Sequence, residues 1–215
     1  TDGKKETFFE DGVLHKIESF KQGRLDGISE IYTEDRKLLL RKNYIKGRHE
    51  GLVEKYYKNG KLKSKSITKD SQPNGTLYEY HENGQLYFKG NFREGVEEGL
   101  HEVYYSNGEL KEITNHQNGK FHGKREQYVI VDGFKSSQII LSENYVEDKL
   151  DGLKETYYDD GQLKSLEDYQ NGLPITVETY KEGKIESSYT YENEYYPNGQ
   201  VRLVQEYRSG KKGLI

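Results

Sequence analysis

The feature that most constrains this chain is a tandem repeat with a period of 24 residues. Its clearest copy, residues 86–108, reads LYFKGNFREGVEEGLHEVYYSNG. Counted from Gly84, the recurring positions are Leu at +2 and +16, an aromatic residue at +8, Gly at +11, +15 and +24, and Tyr at +20 and +21. Self-similarity at a fixed period indicates a repeat architecture, so the repeat is considered before any single element.

Two kinds of turn alternate within the unit. One is Asn-Gly or Asp-Gly, a strong β-hairpin signal because Gly accepts a positive φ and Asn tolerates the left-handed region. The other is the segment G-x-x-x-G. We assign a structural turn role to six glycines, namely Gly60, Gly84, Gly108 and Gly161 in turns of the first kind and Gly99 and Gly123 in turns of the second kind.

The segments between turns are about eight residues long, which is an ordinary strand length. We therefore predict an all-β fold, an elongated single-layer antiparallel meander of tandem 24-residue β-hairpin repeats. Because alternate residues of a strand face opposite sides, positions +16, +18 and +20 share one face. The simplest register places +8 opposite +16, and +20 opposite +2 of the next unit, so that aromatic side chains lie beside aliphatic ones.

The repeat pattern extends through the chain, which predicts a single repeat domain over residues 1–215. The units lie near residues 12–36, 36–60, 60–84, 84–108, 108–136, 137–161 and 161–183, with a degenerate copy over 183–215. Two segments depart from the pattern, residues 70–75 around Pro73 and residues 129–137. Departures from local consistency tend to mark functional or strained sites, so both segments are candidates for function.

Composition excludes several classes of function. Only 32% of the residues are hydrophobic and 33% are charged, but 20 Tyr and 7 Phe supply large apolar rings, which predicts a folded chain with a shallow core. A net charge of -4 with interspersed signs argues against nucleic-acid binding. The absence of Cys excludes thiolate chemistry, and no apolar run is long enough for membrane insertion by this segment.

No catalytic constellation is recognisable. His101, His116 and His122 could approach one another, but His116 more simply replaces the aromatic residue at +8, and we predict no metal site. The Glu row at +18 recurs at one offset, whereas a catalytic carboxylate pair is singular, so hydrogen bonds to Tyr or Lys are expected instead. We predict a protein that is not an enzyme and needs no cofactor. The Glu row comprises Glu30, Glu54, Glu102, Glu126 and Glu155.

Two groups of residues are candidates for partner binding. The +21 tyrosines face away from the +20 tyrosines and would form a Tyr stripe, a residue type enriched in binding surfaces. The alternative, that they only cover sheet backbone, stays open. The candidates are Tyr57, Tyr105 and Tyr158 in the stripe, and Val129, Ile130, Val131, Phe134 and Lys135 in the irregular segment.

The run Tyr-x-x-Gly-x-x-x-Gly followed by Leu-x-Glu-x-Tyr-Tyr-x-x-Asn-Gly-x-Leu resembles the bacterial variant of the MORN repeat, often identified as antitoxins of the YwqK type. The resemblance extends over nearly all of residues 8–213. It implies stacked β-hairpins without catalytic residues, and for some members neutralisation of a partner toxin. Other members resemble cell-envelope proteins, so an extracytoplasmic location is favoured over the cytoplasm. The Trp and Gly-x-Gly of the classical repeat are absent, so its lipid-binding roles do not carry over.

Together these observations predict a non-enzymatic protein-binding module, most specifically an antitoxin or immunity protein that occludes the surface of a toxin. The alternative is a cell-envelope or surface structural protein, a spacer or adhesin with a surface target. A homodimer through an exposed edge strand is a further possibility, because an open sheet has unpaired edges.

Overall fold

The computed structural model describes residues 2–131, 137–198 and 201–208. These residues form 20 β-strands and no helix, which confirms the predicted all-β class. None of them forms a helix that is long and apolar enough to cross a membrane. The chain divides into two compact units, Thr1–Glu109 and Leu110–Ile215. Phe134 and Lys135 lie outside the described residues.

The first unit is an antiparallel meander in which each strand pairs with the next along the chain. Its strands are β1 (Gly3–Phe8), β2 (Leu14–Lys21), β3 (Arg24–Tyr32), β4 (Leu38–Ile45), β5 (Arg48–Tyr56), β6 (Leu62–Lys69), β7 (Gln72–Pro73), β8 (Gly75–Tyr80), β9 (Leu86–Arg93), β10 (Val96–Glu97) and β11 (Gly99–Tyr104). The very short strands β7 and β10 are continued by β8 and β11 after a break of one residue.

The second unit repeats this antiparallel arrangement. Its strands are β12 (Leu110–Gln117), β13 (Lys120–Val129), β14 (Gln138–Val146), β15 (Lys149–Leu150), β16 (Gly152–Tyr157), β17 (Leu163–Gln170), β18 (Leu173–Lys181), β19 (Lys184–Tyr195) and β20 (Val201–Arg208). In each unit the predicted single-layer meander of hairpins is therefore confirmed.

The G-x-x-x-G segments contain a two-residue turn. Lys46 and Gly47 have φ values of 50° and 87°, the positive pair that defines the hairpin turn whose twist matches the strands. The second glycine of the segment, Gly51, lies inside β5 with φ of 91°. Asp70 and Ser71 form the same turn with φ of 48° and 68°, so the departure of residues 70–75 from the sequence pattern does not change the turn.

The Asn-Gly dipeptides lie in three-residue loops. The N–H of Tyr105 donates to the carbonyl of Glu109 at 2.8 Å, and Gly108 has φ of 90°. Asn107 contributes through its side chain, since Oδ1 accepts the N–H of Glu109 at 3.0 Å, rather than through a left-handed backbone. The same side-chain bond recurs at Asp11, Asn59, Asn83 and Asp160.

Half of the predicted register is confirmed. Position +20 lies opposite +2 of the next unit, as for Tyr56 with Leu62. The pairing of +8 with +16 is wrong, because the two-residue turn brings +8 opposite +13 instead. Tyr44 therefore lies opposite His49 in its own hairpin and opposite Gly27 in the preceding one. An aromatic ring beside a strand glycine covers backbone that the glycine leaves open.

The two faces of the sheet consequently differ. We call the face that carries Glu30 and Arg41 the glutamate face, and the face that carries Tyr44 the aromatic face. The predicted shallow core is confirmed, since Val53 is the one buried hydrophobic residue among those described. Apart from Gly90, the other buried residues are polar or charged, namely Ser29, Ser64, Thr68, His101, Glu126, Ser142, Glu143 and Ser165.

Candidate functional site

A column of alternating charges crosses the glutamate face of the first unit. Arg41 lies opposite Glu30 on one side and Glu54 on the other. Its Nε donates to Glu30 Oε1 at 2.9 Å and its NH1 group donates to Glu54 Oε2 at 3.2 Å. The next member, Lys65, lies with its Nζ 4.9 Å from the ring centroid of Tyr78. The guanidinium is thus fixed by two carboxylates, and its hydrogen bond to Glu30 raises the pKa of Arg41.

Tyrosines at position +20 donate hydrogen bonds to the glutamates at +18, as the sequence predicts. Tyr32 donates its hydroxyl proton to Glu30 Oε2 at 2.7 Å. Burial and this hydrogen bond raise the pKa of Tyr32 to about 12. Burial also acts to raise the pKa of Glu30, but the hydrogen bonds from Tyr32 and Arg41 outweigh it and hold that pKa below its ordinary value. Tyr128 and Glu126 form an equivalent pair at 2.6 Å in the second unit.

An aliphatic patch lies next to this column. Ile28, Leu52 and Ile67 are 51%, 41% and 46% exposed. Leu52 lies directly opposite Ile67, and Ile28 lies opposite Asn43. Between Ile28 and Leu52 is a shallow hollow of about 300 Å³, which Asn43 and Arg41 also line. Single exposed aliphatic residues are ordinary on protein surfaces, whereas adjacent ones with a polar rim are typical of interfaces.

The glycine at +15 and the polar residue at +7 together present the +16 side chain to solvent. Asn43 Nδ2 donates to the carbonyl of Glu50 at 2.7 Å, beside Gly51, whose positive φ bends the strand. In the preceding repeat, Ser19 Oγ donates to the carbonyl of Ile28 at 3.0 Å. These bonds hold the backbone that carries Ile28 and Leu52. Related +7 to +16 bonds are made by Asn91, Asn115 and Asn144.

The predicted tyrosine stripe links consecutive repeats. The hydroxyl of Tyr57 donates to the carbonyl of Tyr80 at 2.6 Å, and that of Tyr158 donates to the carbonyl of Tyr180 at 3.0 Å. Tyr105 is half-buried. These hydrogen bonds favour the alternative in which the tyrosines cover the sheet backbone and connect neighbouring repeats. The role of these tyrosines in partner binding stays a prediction.

The remaining predicted partner-binding residues that the structure describes belong to the second unit. Val129 ends β13 opposite Gln138, Ile130 is 43% exposed, and Val131 is half-buried. The six glycines assigned to turns all have positive φ, which no other residue type adopts as readily. Gly60, Gly84, Gly108 and Gly161 lie in loops between strands, as predicted. The turn assignment of Gly99 and Gly123 is wrong, because they lie in β11 and β13 and the turn is formed by the first glycine of the segment and the residue before it. The φ values of the six glycines are 86° for Gly60, 94° for Gly84, 90° for Gly108, 83° for Gly161, 72° for Gly99 and 98° for Gly123.

Sequence reasoning missed the aliphatic patch because it paired +16 with the aromatic residue at +8. The available signal was position +7, the true neighbour of +16 on the same face. That position holds Ser19 and Asn43 in the first two repeats, which are too small and polar to cover Ile28 and Leu52.

The second unit carries a charge network on its aromatic face. Arg125 donates from Nε to Glu112 Oε1 at 2.9 Å and from NH1 to Glu143 Oε2 at 3.2 Å. Glu143 is only 6% exposed and also accepts a hydrogen bond of 3.0 Å from the Tyr145 hydroxyl. Because the Glu143 carboxylate accepts hydrogen bonds from both Arg125 and Tyr145, this network is suited to stabilising the sheet rather than to proton transfer.

Stacked antiparallel hairpins with a 24-residue period define a β-hairpin repeat protein. Five segments of the chain match the family model of the MORN repeat variant, and together they amount to about half of its residues. The chain belongs to this family, as the sequence resemblance predicts. The matched segments are residues 1–22, 50–70, 73–94, 97–118 and 150–171.

Comparison with solved structures adds little. The crystal structure of TcdB2-TccC3-Cdc42 aligns with 94% of this chain and 14% of that chain, at 13% identity and a TM-score of 0.22. The crystal structure of TcdB2-TccC3 aligns with 93% of this chain and 16% of that chain, at 12% identity and a TM-score of 0.17. The chain thus spans a small part of these much longer proteins, and TM-scores this low do not establish a shared fold. No curated protein matches the chain.

Proposed function

We propose that this chain is a non-enzymatic protein-binding module that neutralises a protein partner by covering its surface, as an antitoxin or immunity protein does. The observation that carries the proposal is the patch of Ile28, Leu52 and Ile67 beside the fixed guanidinium of Arg41. An apolar centre beside Arg is typical of protein interfaces, whose buried core is more apolar than the remaining surface and in which Arg is enriched.

The charged column supports binding rather than catalysis. Glu30 and Glu54 are occupied by Arg41, and Glu30 also accepts the Tyr32 hydroxyl. A guanidinium fixed in this way loses little conformational freedom when a partner docks, which lowers the cost of association.

The proposal is tested with the full chain immobilised in an extract of the producing cells. Wild type is expected to retain one stoichiometric protein, identified by mass spectrometry. Leu52→Asp should weaken binding of that purified protein by about tenfold or more in calorimetry, because it places a charge in the apolar centre. Leu153→Asp is the matched control, since Leu153 occupies the same repeat position and is 48% exposed.

A functional measurement completes the test. Co-expression with the wild-type chain should restore growth that the retained protein inhibits, and Leu52→Asp should not restore it. Equal affinity of the two Asp variants for the partner would refute the assignment of the aliphatic patch as the binding site. A retained protein whose expression leaves growth unaffected would refute neutralisation.

A further inference from the structure

Unpaired cations lie at the two-residue turns of the first unit, in the hairpins that carry Ile28 and Leu52. Lys21 lies opposite Arg24 at the end of the β2–β3 hairpin, and Lys46 lies in the next turn. These three side chains, with Gln22 and Asp26, line an open hollow of about 550 Å³. The spacing of the repeats therefore collects positive charge along one edge.

The nearby carboxylates of Asp26, Glu50 and Asp70 form no ion pair with these three cations. Asp26 Oδ2 accepts the backbone N–H of Lys46 at 3.1 Å, and Glu50 Oε2 accepts the backbone N–H of Asp70 at 2.9 Å. Asp70 in turn forms an ion pair with Arg48. Within the described part of the chain, the ammonium and guanidinium groups of Lys21, Arg24 and Lys46 have no ion-pair partner.

Two of the cations, Lys21 and Arg24, share one face with the patch. Ile17 lies opposite Glu30, and alternation along β2 places Lys21 on the same face as Ile17. Arg24 shares that face because it lies opposite Lys21. We call the surface formed by Lys21, Arg24, Lys46, Ile28, Leu52 and Ile67 the basic–aliphatic surface.

The corresponding edge of the second unit is different. Lys120 Nζ is paired with Glu147 Oε2 at 2.6 Å, and +16 of that repeat is Lys124 rather than an aliphatic residue. The combination of unpaired cations with an exposed aliphatic side chain at +16 is therefore absent from this repeat of the second unit.

We propose that the basic–aliphatic surface binds an acidic amphipathic segment of a partner protein. Aliphatic side chains of that segment would cover Ile28, Leu52 and Ile67, and its carboxylates would meet Lys21, Arg24 and Lys46. Charge complementarity is the argument for this occupant, because unpaired cations at the rim of an apolar patch accelerate and select for acidic partners. The inference rests on the proposed function and adds the chemistry of the partner.

The test uses the full chain and a fluorescent peptide of alternating Leu and Glu, with a Leu–Lys peptide as the counterpart. The Leu–Glu peptide is expected to bind, with affinity falling about tenfold between roughly 50 and 200 mM salt. The double variant Arg24→Glu/Lys46→Glu should lose at least tenfold in affinity. Glu is compatible with the turn, since Glu94 and Glu147 adopt the same conformation with φ of 51° and 50°. Lys149→Glu, at the equivalent edge of the second unit, should bind as wild type does.

The outcomes separate the two proposals. Equal affinity for the Leu–Glu and Leu–Lys peptides, or for wild type and the double variant, would overturn the acidic-segment inference. If the double variant still captures the cellular partner while Leu52→Asp does not, the proposed function stands and this inference fails. Sedimentation with vesicles of anionic phospholipid, without binding of the Leu–Glu peptide, would identify a membrane surface as the ligand and also overturn it.

Discussion

The backbone N–H of Lys46 donates a hydrogen bond of 3.1 Å to Oδ2 of Asp26, so a side chain of one repeat closes the turn of the next. The neighbouring N–H of Gly47 donates to the carbonyl of Leu25 at 2.7 Å. Both donors that a two-residue turn exposes are thereby satisfied by the preceding hairpin. Side-chain bonds of the same kind link Glu50 to Asp70, Asn74 to Glu94 and Asp151 to Asn171.

Removing this side-chain acceptor should destabilise the first unit. We expect Asp26→Ala to lower the free energy of unfolding by about 0.5 to 1 kcal/mol, because the N–H of Lys46 loses its protein partner at a solvated turn. Asp26→Asn is the control suggested by the chain, since Asn74 Oδ1 accepts the N–H of Glu94 at the equivalent place. Urea denaturation measures the free energy of unfolding of both variants. Equal decreases would show that the side-chain acceptor at position 26 is unimportant.

Tyr57→Phe distinguishes an inter-repeat tie from a partner contact. The variant loses the 2.6 Å hydrogen bond to the carbonyl of Tyr80 and should be about 1 kcal/mol less stable to urea. Partner affinity should stay within about twofold of wild type at a temperature where both are folded. A variant of unchanged stability with weakened binding would instead support the tyrosine stripe as a binding surface.

The Tyr32–Glu30 pair predicts a dependence of stability on alkaline pH. The pKa of Tyr32 is raised to about 12 in the folded chain by burial and by its hydrogen bond to Glu30. Since the unfolded side chain ionises near pH 10, the pair contributes its full stability below that value and loses it as the pH rises toward 12. Tyr32→Phe should therefore flatten the decline in denaturation midpoint between about pH 10 and 12. An unchanged pH profile would contradict the assignment.

Loss of Arg125 should be the most damaging of these changes. Arg125→Ala removes the guanidinium from Glu112 and leaves the buried Glu143 only its 4.0 Å ion pair with Lys154, at a cost of about 3 kcal/mol in the second unit. Lys120→Ala breaks the exposed pair with Glu147 and should leave the denaturation midpoint unchanged. Similar effects of the two substitutions would refute the distinction between buried and exposed pairs.

The hairpin fold could be predicted because the same turn chemistry recurs in each repeat, but the register across the G-x-x-x-G segments could not. The segment G-x-x-x-G is compatible with a loop of several residues or with a two-residue turn, and only the second brings Tyr44 opposite His49. Local geometry also overrides residue type. Arg36 adopts φ of 61° where other repeats place Gly, because the bonds between Thr33 and Lys37 close the same loop.

The candidate surface was harder to predict than the fold. Leu52 is an ordinary repeat residue in sequence, and its exposure depends on which side of the sheet receives the aromatic ring at +8. The free charge of Lys46 was also hidden, since nearby Asp26 suggests a compensating ion pair. In the structure the carboxylate of Asp26 instead accepts a backbone N–H.

The backbone N–H groups of the two-residue turns donate to residues earlier in the chain. The N–H groups of Lys46 and Gly47 reach back to Asp26 and Leu25, and those of Asn171 and Gly172 reach back to Asp151 and Leu150. During synthesis the acceptor of each such pair leaves the ribosome before its donor. A newly made hairpin can therefore form its turn bonds on the preceding hairpin, which has already folded. Co-translational folding can then advance one repeat at a time, whereas deleting an early repeat removes the template of the one that follows.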